Sequence, residues 1–317
     1  MGRYLLARLA QAGVMVMGLL VLVFVLVRLS GDPINLLAPR DATPEQIAEI
    51  RAAYGLDRPL IAQFGSFVAE AARLDFGTSI RFKQPVTEVA FERMPATLEL
   101  GLAALVLTVG IGVPLGVLAG VRAGTRTDGT VRGVALLGQT VPDFWLSLVL
   151  ILVFAVNLRW FPPFGRDTFD LFGVAVPDES IVLPAVALAL YPMAQLLRFT
   201  RSAVLEVVNE DYVRIARSAG MPAFTVYRRY VLKNSLIPLI SVLSLQVGAL
   251  VSGSLYIENV FAWPGAGGLL AEAVSNRDIP LVQGLAFFGG LVTILFSVLA
   301  DVLYTVADPR IRLGAER

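Results

Sequence analysis

Long uncharged stretches recur along this chain at 9–27, 100–121, 144–158 (extended back toward 133), 180–197, 234–257 and 279–300. A hydrocarbon core of about 30 Å takes about 20 helical residues to cross. The pattern therefore predicts six transmembrane helices, and an all-α polytopic membrane protein. Asp143 interrupts the third stretch. The expected layout is a first helix within 1–30, an extracytoplasmic segment at 31–96, a membrane domain at 97–306 and a tail at 307–317.

Polar connections set the orientation. With the N-terminus inside, the inner segments hold about 15 basic residues in roughly 65 positions, and the outer ones about 11 in roughly 110. This asymmetry predicts both termini in the cytoplasm. The first stretch is too long for the apolar core of a signal peptide, about 7–15 residues, and no small-x-small cleavage site follows it. It reads as a signal anchor.

Segment 31–96 has periodicity of its own. Thr43-Pro44-Glu45 is a helix start, with proline at the first helical position. Ile61, Phe64, Phe67 and Val68 fall at helical spacing in a second short helix. Such an appendage either packs on the bundle or contacts a delivery protein. In the second span, Gly101, Gly110, Gly112, Gly116 and Gly120 with Pro114 form a small-residue surface. It serves either close helix packing or a kink beside a pore. Trp160-Phe161-Pro162-Pro163 suits a membrane–water interface. Arg198 and Arg201, at the end of the fourth span, read as interfacial anchors.

The longest polar interruption in the second half is 209–238, which carries Arg214, Arg217, Arg228, Arg229 and Lys233. Asn209 reads as an N-cap, with Glu210 and Asp211 complementing the positive helix end. Tyr212, Ile215, Ala216 and Ala219 form an apolar face. Gly220 stops this helix and Pro222 follows. Phe224, Tyr227 and Val231 form the stripe of a second helix. The segment is a helix–break–helix on the cytoplasmic side. An amphipathic hairpin on anionic lipid and a mere topology signal are competing readings.

Composition narrows the chemistry. Of 317 residues, 56% are hydrophobic and 16% charged, and mean hydropathy is +0.72, against about 25% charged in soluble domains. Net charge is +1 and there are no cysteines or histidines. Thiol chemistry and histidine sites are excluded, and nothing favours nucleic acid as a partner. No Gly-x-x-x-x-Gly-Lys-Ser/Thr phosphate loop is present, so any ATP hydrolysis belongs to a partner. Glu99, Asp143 and Asp301 are the carboxylates within or near the spans, and they are candidates for the pathway or a gate. An ion-coupled secondary transporter would rely on Asp143 and Asp301.

Several segments carry a resemblance: 54–60 (YGLDRPL), 75–79 (DFGTS), 95–100 (PATLEL), 211–220 (DYVRIARSAG), 234–238 (NSLIP), 258–265 (ENVFAWPG), 276–280 (NRDIP) and 308–312 (DPRIR). In that order the chain resembles the permease subunits of bacterial ABC importers of the dipeptide/oligopeptide type, over nearly its whole length. The resemblance implies the type I importer fold. Its implied partners are a second homologous permease, two ATP-binding subunits that hold ATP and magnesium, and an extracytoplasmic substrate-binding protein. It also implies that 209–235 is the "EAA" loop containing the coupling helix. Ala216, Gly220, Met221, Pro222, Ala223, Phe224 and Thr225 then form the ATPase-docking tip. Arg214 stands where that motif has Glu, Ile215 where it has its first Ala, and Tyr230 where the subfamily often has His.

Overall fold

The computed structural model describes residues 2–29, 43–53, 55–171 and 174–307. The 308–312 segment, most of the predicted tail, Tyr54 and residues 31–42 of the appendage lie outside the described residues. Twelve α-helices are described: α1 Gly2–Leu29, α2 Pro44–Ala53, α3 Leu60–Ala72, α4 Val86–Val121, α5 Arg126–Thr140, α6 Asp143–Leu150, α7 Val182–Val208, α8 Asp211–Ser218, α9 Ala223–Val226, α10 Lys233–Val260, α11 Ala266–Ser275 and α12 Ile279–Ala307. α6 runs on into a π-helix, Ile151–Asn157, and α9 into another, Tyr227–Leu232. An antiparallel hairpin, β1 Thr168–Leu171 with β2 Val174–Pro177, adds a β element that the hydrophobic pattern does not show.

Helices at Arg8–Leu29, Val86–Val121, Glu179–Val208 and Ile279–Leu299 are long and apolar enough to cross a membrane. The pair Arg126–Thr140 and Asp143–Asn157 makes a fifth crossing if taken together, but it is bent by 104°. The predicted third span is thus broken at Val141-Pro142, where Pro142 caps α6. A proline cannot continue the ladder of α5. α10 has 28 residues, about 42 Å of helix, which is the length the remaining predicted span needs.

The bundle is built around α4 packed along α7, joined by α10 and α12. Gly112, Gly116 and Gly120 are spaced one turn apart and meet Met193, Thr200 and Val204 of α7. A Cβ added at Gly116 would lie 2.5 Å from the Thr200 Cβ. Helix packing is therefore what these three glycines serve. An added Cβ at Gly101 or Gly110 would meet nothing within 4 Å, so neither makes such a close approach.

α4 begins eleven residues before the predicted membrane domain. Its 36 residues span about 54 Å, so it protrudes beyond a bilayer and carries the appendage. α2 opens with a capping box: the Thr43 hydroxyl accepts from the Gln46 N–H while the Gln46 side chain accepts from the Thr43 N–H. In α3, Phe67 and Ala71 are buried while Ile61 is 87% exposed. Phe64, Phe67 and Val68 of the predicted stripe pack inward with Ala71, and only Ile61 falls outside it; the inner side meets a chain of rings, Phe24–Phe64, Phe24–Phe67, Phe67–Phe76 and Phe76–Phe287. This chain ties the appendage to α1 and α12, so α3 packs on the bundle.

Two buried carboxylates join segments distant in sequence. Glu258, 1% exposed, accepts from the Thr97 hydroxyl at 2.8 Å and from the Gly268 N–H at 2.7 Å. The Thr97 oxygen in turn accepts from the Ala266 N–H, and the Trp263 indole donates to the Ala96 carbonyl. Gly268 lies in the first turn of α11, whose positive end favours a carboxylate. Side chains at Gly265 or Gly267 would collide with Glu258. Asp278 repeats the device: it accepts from the Ser79 hydroxyl at 2.5 Å and the Arg81 N–H at 3.1 Å. Segment 95–100 is thus the partner of 258–265, and 75–79 that of 276–280.

Thr97→Val keeps the shape but leaves a Glu258 oxygen and the Ala266 N–H unpaired. Each such group costs about 1–3 kcal/mol. Thermal unfolding of the purified protein is expected several degrees below wild type for Thr97→Val and near wild type for Thr97→Ser. Equal midpoints for wild type and Thr97→Val count against the network.

Candidate functional site

The break–helix segment begins one residue later than its polarity suggests. Asn209 ends α7 and its amide donates to the Leu205 carbonyl, while Glu210 is the cap of α8. Asn209 is therefore not an N-cap: α7 runs through the predicted boundary because Val204, Val207 and Val208 have apolar partners.

The end of α8 follows the predicted chemistry. Gly220 has φ +74°, its N–H donates to the Arg217 carbonyl, and the Met221 N–H donates to the Ala216 carbonyl. These are the paired bonds of a Schellman motif, which needs a left-handed residue at that point. Pro222 then caps α9.

The buried side differs from the predicted stripes. Val213, Ala216, Val226 and Val231 are buried against Val204, with Val117 and Val121 of α4 at their edge. Burial of a valine is worth about 1.5–3 kcal/mol. The exposed Asp211–Arg214 pair contributes about 0.5 kcal/mol. The apolar cluster therefore holds the segment on the ends of α4 and α7. Tyr212 and Ile215 of the first apolar face and Phe224 of the second stripe are exposed, Ile215 at 68% and Phe224 at 74%. Burying Val213 and Ala216 turns the 212–215–219 side outward. Met221 joins them at 40% exposed, and Pro222 and Ala223 are exposed. Phe224 also borders a shallow apolar groove with Val121, Tyr227 and Leu232. Arg228, Arg229 and Lys233 are exposed around this surface, and Arg217 lies over the Tyr227 ring at 5.6 Å. The tip is a rigidly held apolar knob inside a basic rim.

The other candidates do not gather here. Glu99 receives two hydrogen bonds from Arg166, at 2.8 and 3.3 Å, and so pins the loop after α6. Asp143 is the first residue of α6 and is exposed. Asp301 lies on α12, and its side chain is outside the described residues. Arg198 and Arg201 are not free anchors: Arg201 donates twice to buried Asp128, at 2.6 and 2.9 Å, and Arg198 donates to Gln139 at 2.6 Å. Glu258, Asp278 and Asp128 were not singled out from sequence. An acid flanked by apolar residues, as in Ile257-Glu258-Asn259-Val260, was the available signal.

Comparison with known proteins places the whole chain. Residues 112–313 match the family described as "Binding-protein-dependent transport system inner membrane component", and residues 1–101 match its N-terminal membrane component. The chain belongs to this family. The dipeptide transport system permease protein DppB of Escherichia coli K12 is 36% identical over 334 residues, covering 98% of each chain. The oligopeptide transport system permease protein AppB of Bacillus subtilis 168 is 33% identical over 314 residues, covering 98% of this chain and 99% of its own. An inward-facing MetNI methionine ABC transporter structure superposes with a TM-score of 0.56 at 17% identity, over 69% of this chain and 96% of that one. The fold is that of type I importer membrane subunits. As a binding-protein-dependent transport component, the chain is a non-enzymatic permease of the inner membrane, served by separate ATPase subunits.

Proposed function

We propose that this permease conducts short peptides into the cell. Relatives that share its full length carry dipeptide and oligopeptide transport names. It pairs with a second homologous permease, receives substrate from an extracytoplasmic binding protein, and stands on two ATP-binding subunits that hold ATP and magnesium. Both termini and the 209–235 loop lie in the cytoplasm.

The observation that carries the mechanism is the knob. Phe224, Ile215 and Met221 are exposed, yet their backbone is clamped by buried Val213, Val226 and Val231. An apolar tip in a basic rim is a surface shaped for a protein cleft, since contiguous exposed apolar residues mark interaction sites. ATP-driven closure of the ATPases displaces the tip. The valine cluster passes that displacement to the ends of α4 and α7, and the bundle rocks between outward- and inward-open states.

Reconstitution tests this reading. In liposomes the chain alone is expected to move no peptide down a proton or sodium gradient. With its ATPases, partner permease and binding protein it takes up dipeptide on addition of ATP. Gradient-driven uptake by the chain alone overturns the proposal and establishes a secondary transporter.

A further inference from the structure

One face of α7 is out of keeping with a helix that crosses a membrane. Tyr191, Gln195, Arg198 and Ser202 recur at i, i+4, i+7 and i+11, one side of a helix. Tyr191, Arg198 and Ser202 are exposed and Gln195 is half-buried. The opposite side, with Leu196, Leu197, Thr200 and Val204, is buried against the bundle. The polar stripe is knitted together: the Gln195 amide donates to the Tyr191 hydroxyl at 3.0 Å, and Arg198 donates to Gln139 of α5. An arginine turned to the hydrocarbon of a bilayer costs several kcal/mol.

The α5–α6 break lies beside this stripe. A Cβ on Gly138 would sit 3.3 Å from Ala194 and Leu190, so the end of α5 reaches the middle of α7. Asp143 follows Gln139 by four residues, which limits their Cα separation to about 14 Å. Its carboxylate is exposed, and among the described residues no hydrogen bond or ion pair is made by it. The Ser147 hydroxyl donates to the Asp143 backbone carbonyl at 2.8 Å. A carboxylate and a guanidinium thus stand on a polar surface of the bundle, where an aqueous path is the setting that lowers the cost of both.

We propose that Tyr191, Gln195 and Arg198, with Gln139 and Asp143 at the break, line the translocation path, and that Asp143 meets the ammonium end of the peptide and Arg198 its carboxylate end. This rests on the peptide reading above. The two charges complement a zwitterion, whose own charges pay their desolvation only where both find partners. Binding there is brief, because a path must release what it admits.

This chain has no cysteine, so an introduced one is its single thiol. Gln195→Cys is introduced into the full complex and treated with cationic and anionic methanethiosulfonates. It is expected to react with both and to be protected by a transported dipeptide, while Leu152→Cys, at an exposed apolar position, stays unreactive. Adding Asp143→Asn is expected to lower the cation-to-anion rate ratio about fivefold, the effect of one unit charge within about 8 Å in water. Dipeptide uptake by Asp143→Asn falls about tenfold at unchanged membrane abundance, with Asp143→Glu retaining more than Asn. A Gln195→Cys that resists both reagents places the stripe against lipid or the partner permease and overturns the proposal. So does a ratio unmoved by Asp143→Asn. If the wild-type complex moves no peptide and none protects the cysteine, the peptide reading itself falls, and the ammonium contact with it.

Discussion

Gly116→Val is expected to remove most of the protein from the membrane. An added Cβ would sit 2.5 Å from the Thr200 Cβ and 2.6 Å from the Leu197 carbonyl, one of them backbone, so neither neighbour yields by a rotamer change. Thr200 is fully buried and its hydroxyl is bonded to the Leu196 carbonyl at 2.7 Å. The helices must separate, and α4 against α7 is the central packing of the bundle. Overpacking costs about 1–3 kcal/mol where side chains can shift, and here more because backbone must. Gly116→Ala gives a milder loss of the same kind. Gly110→Ala is the control: nothing lies within 4 Å, and alanine favours the helix by about 0.5–1 kcal/mol. Immunoblots of membranes and unfolding midpoints check both. Equal levels for Gly116→Val and Gly110→Ala refute the close contact.

Substitution at the knob is expected to abolish uptake and leave the protein in place. Phe224 is 74% exposed, so Phe224→Asp removes little from the fold. It places a charge in the apolar tip, where docking in a cleft would strip its water. Truncating or charging a central interface aromatic costs about 2 kcal/mol or more in binding, which is over tenfold in affinity. ATPase subunits are expected to be lost from the purified complex. Gly220→Val acts by another route. Its φ of +74° is poorly tolerated by a β-branched residue, at a cost of about 1–2 kcal/mol. The turn re-forms with the tip re-aimed, so ATP hydrolysis continues without uptake. Normal uptake by both variants, at normal membrane abundance, removes the coupling role from 209–235.

The helix stop at Gly220 was legible because its requirement is local: a left-handed residue followed by proline satisfies the last carbonyls of α8 whatever lies around it. The long spans were legible for a similar reason, since each helix satisfies its own backbone and needs only apolar length. The side each short helix turns inward was not. Val213, not Tyr212 or Ile215, is buried, because the ends of α4 and α7 supply valines at that position, and no periodicity within α8 contains them. The break at Val141-Pro142 was marked in the sequence only by Asp143, which interrupts the third stretch, and its 104° angle depends on what α5 and α6 each pack against.

Glu258 and Asp278 show the same division from the polar side. Each looks like an ordinary end-of-span acid, and each becomes a buried joint only when Thr97 or Ser79, some 160 to 200 residues away, is brought to it. The class of this permease and the apolar length of its long helices follow from composition and hydrophobic spacing, because they are set by transfer of each segment from water. Which face is buried, which glycines touch and which charges meet were decided by tertiary structure, because close packing and buried hydrogen bonds exist only between segments that the chain keeps far apart.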